Sequence, residues 1–537
     1  MRRWAIPGAG NRPLLLVIAL GVTLRLVVAW QPASVLLEKN LPDDALYYFV
    51  IAHNAVSLHS VSLDGTDPTN GFHPLWLVLM VPIFGGSALG GEAPIHWALT
   101  LCSLLDGLTI WLIAKVVMEL VGREKPGVLA AMLYAANPSV ILQTTNGLET
   151  AAALALQAAL LMCYLRWLAS ANPQRWVLPV GLLGGLLLLA RSDMVFFLAL
   201  LLLAALGYWR DRAGAVRAIL VGGLATLIVA PWLVWGRTAV GSWIQESGLA
   251  VPFAIRARFA LDHGGQAAQV AGESLRQLLH PALWGRGDPV ALPFGLGVAL
   301  WVLVLAGLIW QWRAKRPTRE MAALVPLIGA SVLLLLFHAA LRWYPRPWYF
   351  VSAGLTFAIS AGLVVSRTGV LERRTFSVGV AFLVYYALAG YVLWSVGLYP
   401  WQKEMLAAST WLRGHLPERA DVGSFNAGIY AYFSDRRVVN LDGVVNHEAF
   451  EAVREGQVLP YLRKAGIEYV VDYDSAIFRE YAPFMGEGYP GGLMQVAVLG
   501  GTADGPLGLL RAYRVAGSST DEPTTSGADR VCQGVHR

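Results

Sequence analysis

Apolar stretches long enough to cross a lipid bilayer recur along most of this chain, and they leave it few folds to choose from. They lie at about Leu14–Trp30, Ile95–Met118, Val128–Leu142, Thr150–Trp167, Trp176–Ala190, Met194–Trp209, Ala218–Trp235, Leu292–Trp310, Met321–Ala340, Trp348–Ser366 and Thr375–Trp394. A spanning helix needs roughly 20 apolar residues, because lipid offers no partner to an open backbone. One more stretch, Pro74–Phe84, is apolar but short, carries Pro74 and Pro82, and runs into Gly85-Gly86. That length suits a re-entrant or interfacial piece.

Basic residues decide how this stretch is read. If Pro74–Phe84 does not cross, one side of the membrane receives Arg2/Arg3/Arg12, Arg123/Lys125, Arg166/Arg175, Arg210/Arg212/Arg217, Arg313/Lys315/Arg316/Arg319 and Arg367/Arg373/Arg374. Every one of those loops is basic, which is the positive-inside pattern; if the stretch crosses, nearly all of them change sides. The prediction is a multi-pass α-helical membrane protein of about 11 spans in an inner or plasma membrane. Its N-terminus is cytoplasmic and its C-terminus extracytoplasmic. The net charge of +6 then reports topology, not affinity for nucleic acid. No GxxxxGK[ST] loop occurs, which argues against an ATP-driven pump. Cys102 and Cys163 fall inside spans and Cys532 in the polar tail, so no disulfide framework is indicated.

The membrane region covers residues 1–397, and its first extracytoplasmic loop, residues 31–94, is the richest in polar chemistry. Asp43 and Asp44 open an apolar, aromatic helix pattern, with Asn40 placed to cap it and Pro42 suited to a first turn. The turn-rich run Asp64–Gly71 follows, then Phe72-His73-Pro74. The acidic pair could do no more than complement the helix dipole, or it could work on a lipid head group at the membrane surface. Asn146-Gly-Leu-Glu149 reads as a capping box for the next span, and Asp193 sits at another helix start, yet both face the same compartment as the pair. Asp106, inside the second span, reads as an internal structural partner. Arg342 and Arg346 lie where the charge rule disfavours cations; they are anchors in an aromatic belt or an anion clamp. Arg191, Arg237, Arg256 and Arg258 are weaker candidates for that clamp. His73 could meet a phosphate or a metal, or act as a plain hydrogen-bonding ring. His447-Glu448 is half of a zinc-binding HExxH and lacks the second His.

From residue 398 to 515 the composition becomes that of a soluble, small extracytoplasmic α/β domain. Strands are expected at Asp421–Phe425, Arg437–Leu441 and Ile467–Asp472 and a helix at His447–Ala465. Residues 516–537 form a Ser/Thr/Asp/Gly-rich tail expected to be disordered.

The single span, the acid-pair loop (Asp43-Asp-Ala-Leu-Tyr-Tyr-Phe), the segment Asn70-Gly-Phe-His-Pro-Leu-Trp76 and the external C-terminal domain together resemble the GT-C superfamily of membrane glycosyltransferases, in particular uncharacterised bacterial members of the glycosyltransferase-39 (protein O-mannosyltransferase-like) type. The likeness covers residues 1–397 by architecture. Its sequence-specific part is Asp43–Trp76, with Asn146–Glu149 weaker. The resemblance implies transfer of a sugar from a polyprenyl-phosphate donor to an acceptor hydroxyl (glycan, lipid or protein) at the extracytoplasmic face, by an inverting displacement. It places catalysis on the acid pair, Asp43 first and Asp44 beside it, with Glu149 as the second-loop acid. His73 stands where a basic residue often precedes the Pro. Many members carry Asp-Glu where this chain has Asp-Asp. Arg342, Arg346, His73 and Asp193 are the candidate substrate-binding residues. No cofactor is assigned, and a divalent metal stays open. The rival readings are a transporter or flippase of lipid-linked sugars and a non-catalytic binding protein of the same fold; a transporter would show repeats or several mid-membrane polar residues.

Overall fold

The computed structural model describes residues 12–261, 272, 318–341, 343, 346–369 and 373–517. The expected span Leu292–Trp310, Arg342 and nearly all of the tail lie outside the described residues, as do the side chains of Arg256 and Arg258. Among the described residues, eight helices are long and apolar enough to cross a membrane, or nine if one bent pair counts as a span. They run from Arg12–Ala29 and Glu92–Val121 to Arg319–Leu341 and Thr375–Val396. The chain is a multi-pass helical membrane protein with a small C-terminal sheet domain.

Two expected spans take other forms. Val128–Leu142 is not one straight helix: Glu124–Ala135 and Pro138–Thr144 meet at 64°. Pro138 disfavours a helical conformation at Asn137, whose side chain then caps the second piece through Ser139 N and Val140 N. Trp348–Ser366 becomes a 3-10 turn, Pro347–Tyr349, followed by the 16-residue helix Ser352–Arg367. Almost every side chain of that helix is buried, as expected of a helix apolar on all sides. Pro74–Phe84 is an 11-residue helix, shorter than a bilayer requires.

Inside the bundle, the buried Asp106 carboxylate is ion-paired to Arg25. It also accepts from Tyr134 Oη at 2.6 Å and Thr144 Oγ1 at 3.1 Å. Arg25 donates further to the Gly21 and Ala135 carbonyls. An intramembrane acid engaged in this way ties four helices of the bundle together.

The C-terminal domain carries a five-stranded sheet in the order β2-β1-β3-β5-β4, where β1 is Asp421–Ser424, β2 Arg437–Asn440, β3 Tyr469–Tyr473, β4 Leu493–Gly501 and β5 Leu509–Val515. β1 is parallel to both neighbours; β5 is antiparallel to β3 and β4. The expected helix His447–Ala465 is two helices, His447–Glu455 and Val458–Lys464, parted at Gly456 with φ 68°. A left-handed glycine there ends the first helix.

This domain does not hang from the membrane region by a linker. One buried cluster joins Leu36, Leu41, Phe49, Trp76 and Phe84 of the first loop to Met405, Leu412, Tyr430 and Tyr432 of the C-terminal part. Phe49 stacks on Phe84 at 4.2 Å between centroids, and Tyr432 meets both rings edge-on. Each large apolar side chain removed from water contributes about 1.5–3 kcal/mol, so a shared core of this size holds the two parts together. It also explains why the helix Asp43–Ser57 is buried on every face from Ala45 to Ala52.

Candidate active site

Asp43 and Asp44 are the first two residues of the helix Asp43–Ser57, and its N-cap position is held by Pro42, not Asn40. Asn40 faces away: its Nδ2 donates to the Thr145 carbonyl at 2.8 Å. The helix start is fixed by the C-terminal part, because Asp43 N–H donates to Gln402 Oε1 at 2.8 Å and Gln402 Nε2 donates to the Leu37 and Leu41 carbonyls.

The two aspartates have different surroundings. Asp43 is buried, and its two oxygens accept the backbone N–H groups of Gly428 (3.0 Å) and Ile429 (2.6 Å). Burial pushes its pKa up to about 7, against the two amide hydrogen bonds and with the Asp44 charge adding to the rise. A helix N-terminus favours the ionised form, and desolvation here outweighs it. A methyl group on Gly428 would overlap the Asp43 carbonyl, so the contact is backbone against backbone. Asp44 is partly exposed, and no hydrogen bond reaches its carboxylate from the described residues. Burial raises its pKa, the Arg346 charge lowers it, and Glu149 adds to the rise.

Glu149, Arg191, Asp193 and His73 form one network beside the pair. Glu149 is not the third residue of a capping box: the helix begins at Thr150, and Asn146 Oδ1 accepts Leu148 N–H in a local turn. The Glu149 carboxylate accepts from Tyr48 Oη at 2.9 Å and Arg191 Nη1 at 2.9 Å, with His73 Nε2 at 3.7 Å. Asp193 holds the other side of the same guanidinium. Arg191 thus shares its charge between two carboxylates. Gln245 Nε2 lies 3.1 Å from His73 Nδ1, and His73 N–H donates to Tyr48 Oη at 3.0 Å. Burial lowers the His73 pKa, opposed by the Glu149 charge. Of the four acids singled out from sequence, Asp44 alone keeps a carboxylate without a hydrogen bond among the described residues.

Arg346 is exposed, and its charge acts on Asp44, Tyr349 and Tyr481. The site also contains Tyr48, which the sequence offered only as part of the acid-pair motif, and residues that no local pattern marked: Gln245, Glu246, Asp442 and Tyr481. Glu246 is fully buried and accepts from Thr69 Oγ1 at 2.9 Å, while its Oε1 lies 2.8 Å from His447 Nδ1. That pair joins the helix Glu246–Leu261 to the C-terminal domain. Among the described residues, no group of three or more His, Cys, Asp or Glu side chains is disposed to hold a metal ion, and no step below runs through one.

Residues 73–235 match the family model described as dolichyl-phosphate-mannose-protein mannosyltransferase, and residues 397–521 match a domain of unknown function, DUF8728. No curated protein sequence matches the chain. ArnT from Cupriavidus metallidurans, solved bound to undecaprenyl phosphate, superimposes with a TM-score of 0.56 at 13% identity, over 94% of this chain and 98% of its own. The Archaeoglobus fulgidus oligosaccharyltransferase in complex with Zn and sulfate gives 0.54 at 17% identity, over 93% of this chain and 72% of its own. AglB from the same organism, in complex with an inhibitory peptide and a dolichol-phosphate, gives 0.52 at 14%, covering 96% and 75%. The chain has the GT-C fold of integral-membrane glycosyltransferases. Within that fold, the membrane half carries the mannosyltransferase-type match and the C-terminal domain the uncharacterised one.

Proposed function

We propose that the chain transfers a sugar from a polyprenyl-phosphate donor to an acceptor hydroxyl at the extracytoplasmic face, with Asp44 as the general base. The observation that carries this is the contrast within the acid pair. Asp43 is committed to two backbone amides, whereas Asp44 is open and faces the Arg346 charge. As the acceptor oxygen attacks the anomeric carbon, its proton passes to Asp44, and the bond from that carbon to the lipid phosphate breaks. Arg346, with Arg342 as a second candidate from the sequence, would hold the departing phosphate, as guanidinium groups do. Glu149, Arg191, Asp193 and His73 are positioning residues: their bonds fix Tyr48 and the start of the helix Pro74–Phe84. The donor chemistry is supported by the undecaprenyl phosphate and dolichol-phosphate bound to the structural relatives. The basic-loop pattern supports a cytoplasmic N-terminus.

The test supplies radiolabelled polyprenyl-phosphate sugars to the purified protein and follows release of polyprenyl phosphate and transfer of label. Asp44→Asn is expected to lower turnover by about 100- to 10,000-fold. Full turnover in that variant would remove Asp44 from the chemistry.

A further inference from the structure

Strand order in the C-terminal sheet places a topological switch point at β1, since the chain runs from β1 to β2 on one side and then to β3 on the other. All three strands are parallel, and the loops at their carboxyl ends gather at one edge of the sheet. In open α/β sheets that edge is where ligands bind. Here the same edge abuts the acid pair. The turn after β1 supplies the amides that hold Asp43, and Ala427 N–H donates to Tyr47 Oη at 3.2 Å. After β2, Asn440 Nδ2 donates to Tyr47 Oη at 3.2 Å, and a methyl group on Gly71 would overlap the Val444 carbonyl.

Each strand end also contributes a side chain with capacity to spare. Asn426, after β1, is exposed and spends its Nδ2 on Asp472. Asp442, after β2, is half-buried; its Oδ1 accepts Val444 N–H at 2.8 Å, and both Asp44 and Asp43 act on its charge. Tyr481, after β3, stacks on Phe425 at 4.1 Å, and the charges of Asp442 and Arg346 both act on its hydroxyl.

We propose that these three strand-end loops form the acceptor subsite and that the acceptor is a saccharide, held by the Asp442 carboxylate, the Asn426 amide and the Tyr481 ring and hydroxyl. The inference rests on the transferase reading. A carboxylate accepts from adjacent sugar hydroxyls, an amide and a phenol add one partner each, and an aromatic face meets the C–H face of a sugar ring. A peptide acceptor read by strand addition would need an open sheet edge. The nearby edge strand, β2, is tied to the first loop by the ion pair of Arg437 with Asp64 at 2.7 Å. Asp472, which accepts from Ser424 Oγ and the Phe425 and Asn426 amides, braces the β1 loop from behind.

The experiment measures saturation-transfer NMR of the full-length protein in detergent with methyl glycosides of mannose, galactose, glucose and arabinose, and with a Ser/Thr-containing peptide. At least one glycoside is expected to bind the wild type. Its affinity should fall about tenfold or more in Asp442→Ala and in Tyr481→Ala, and less in Tyr481→Phe, with melting temperatures kept as the folding control. No glycoside binding, binding indifferent to both alanine variants, or binding of the peptide in their place would overturn the inference. Release of polyprenyl phosphate is followed separately. Donor cleavage without glycoside binding sinks the acceptor assignment alone. Glycoside binding lost in the variants, with no donor cleaved, sinks the transferase reading alone.

Discussion

Replacing Asp43 by Asn separates its two possible roles, because the substitution preserves shape but removes one of two acceptor oxygens. In the structure those oxygens take the Gly428 and Ile429 amides at 3.0 and 2.6 Å, in a buried contact between the membrane region and the C-terminal domain. An asparagine keeps one carbonyl oxygen and turns an N–H₂ group toward the other amide. One hydrogen bond is lost and one buried N–H is left unsatisfied, which costs about 1–3 kcal/mol. Asp43→Ala orphans both amides and should cost about twice as much, roughly 2–6 kcal/mol by the same reckoning. Thermal melting in detergent, with limited proteolysis to detect release of the C-terminal domain, reads the loss. Melting should drop in the order wild type, Asn, Ala, while Asp44→Asn melts as the wild type does. If Asp43→Asn melts normally yet loses about 100-fold or more in turnover, Asp43 is the base, and the separation of roles within the pair is wrong.

Stability should also depend on pH. The Asp43 pKa is raised from 3.8 to about 7 in the fold, so its contribution is complete below about 4 and is lost as pH rises through about 7, at about 1.4 kcal/mol per pH unit. Asp442, likewise raised to about 7, adds a loss of the same sign, and denaturation curves of Asp442→Asn between pH 5 and 8 should be flatter than those of the wild type. Arg346→Ala removes the charge that lowers the Asp44 pKa, so the acid limb of the turnover profile should move to higher pH; an unmoved limb would detach Arg346 from Asp44. Within the bundle, Arg25→Met should destabilise by about 3–5 kcal/mol by leaving Asp106 uncompensated, and melting should recover in Arg25→Met/Asp106→Leu. For topology, single cysteines at Thr66 and Glu418 should be labelled from outside intact cells and one at Lys125 only after permeabilisation; labelling of all three from one side would overturn the re-entrant reading of Pro74–Phe84.

Periodicity and charge determined much of this protein without coordinates. Apolar run length set the helical membrane class, because lipid tolerates few alternatives. The shortness of Pro74–Phe84 was legible too, and it is an 11-residue helix in the fold. The motif Asp43–Trp76 and the corner Arg191–Asp193 pointed to stretches that the fold brings together, and Asp106 read as an internal partner from its depth. What sequence could not reveal is which groups are already spent. Asp43 and Asp44 are adjacent and chemically identical; they differ only because Gly428 and Ile429, far along the chain, donate to the first. Glu149 read as a local cap but is bound by Tyr48 and Arg191. Asp442 and Tyr481 carry no pattern that marks them, since their meaning lies in where β2 and β3 end relative to another part of the chain. Local spacing governs helices and spans, whose hydrogen bonds close within a few residues. A site depends on desolvation and charge summed over distant segments, and only the tertiary structure decides that sum.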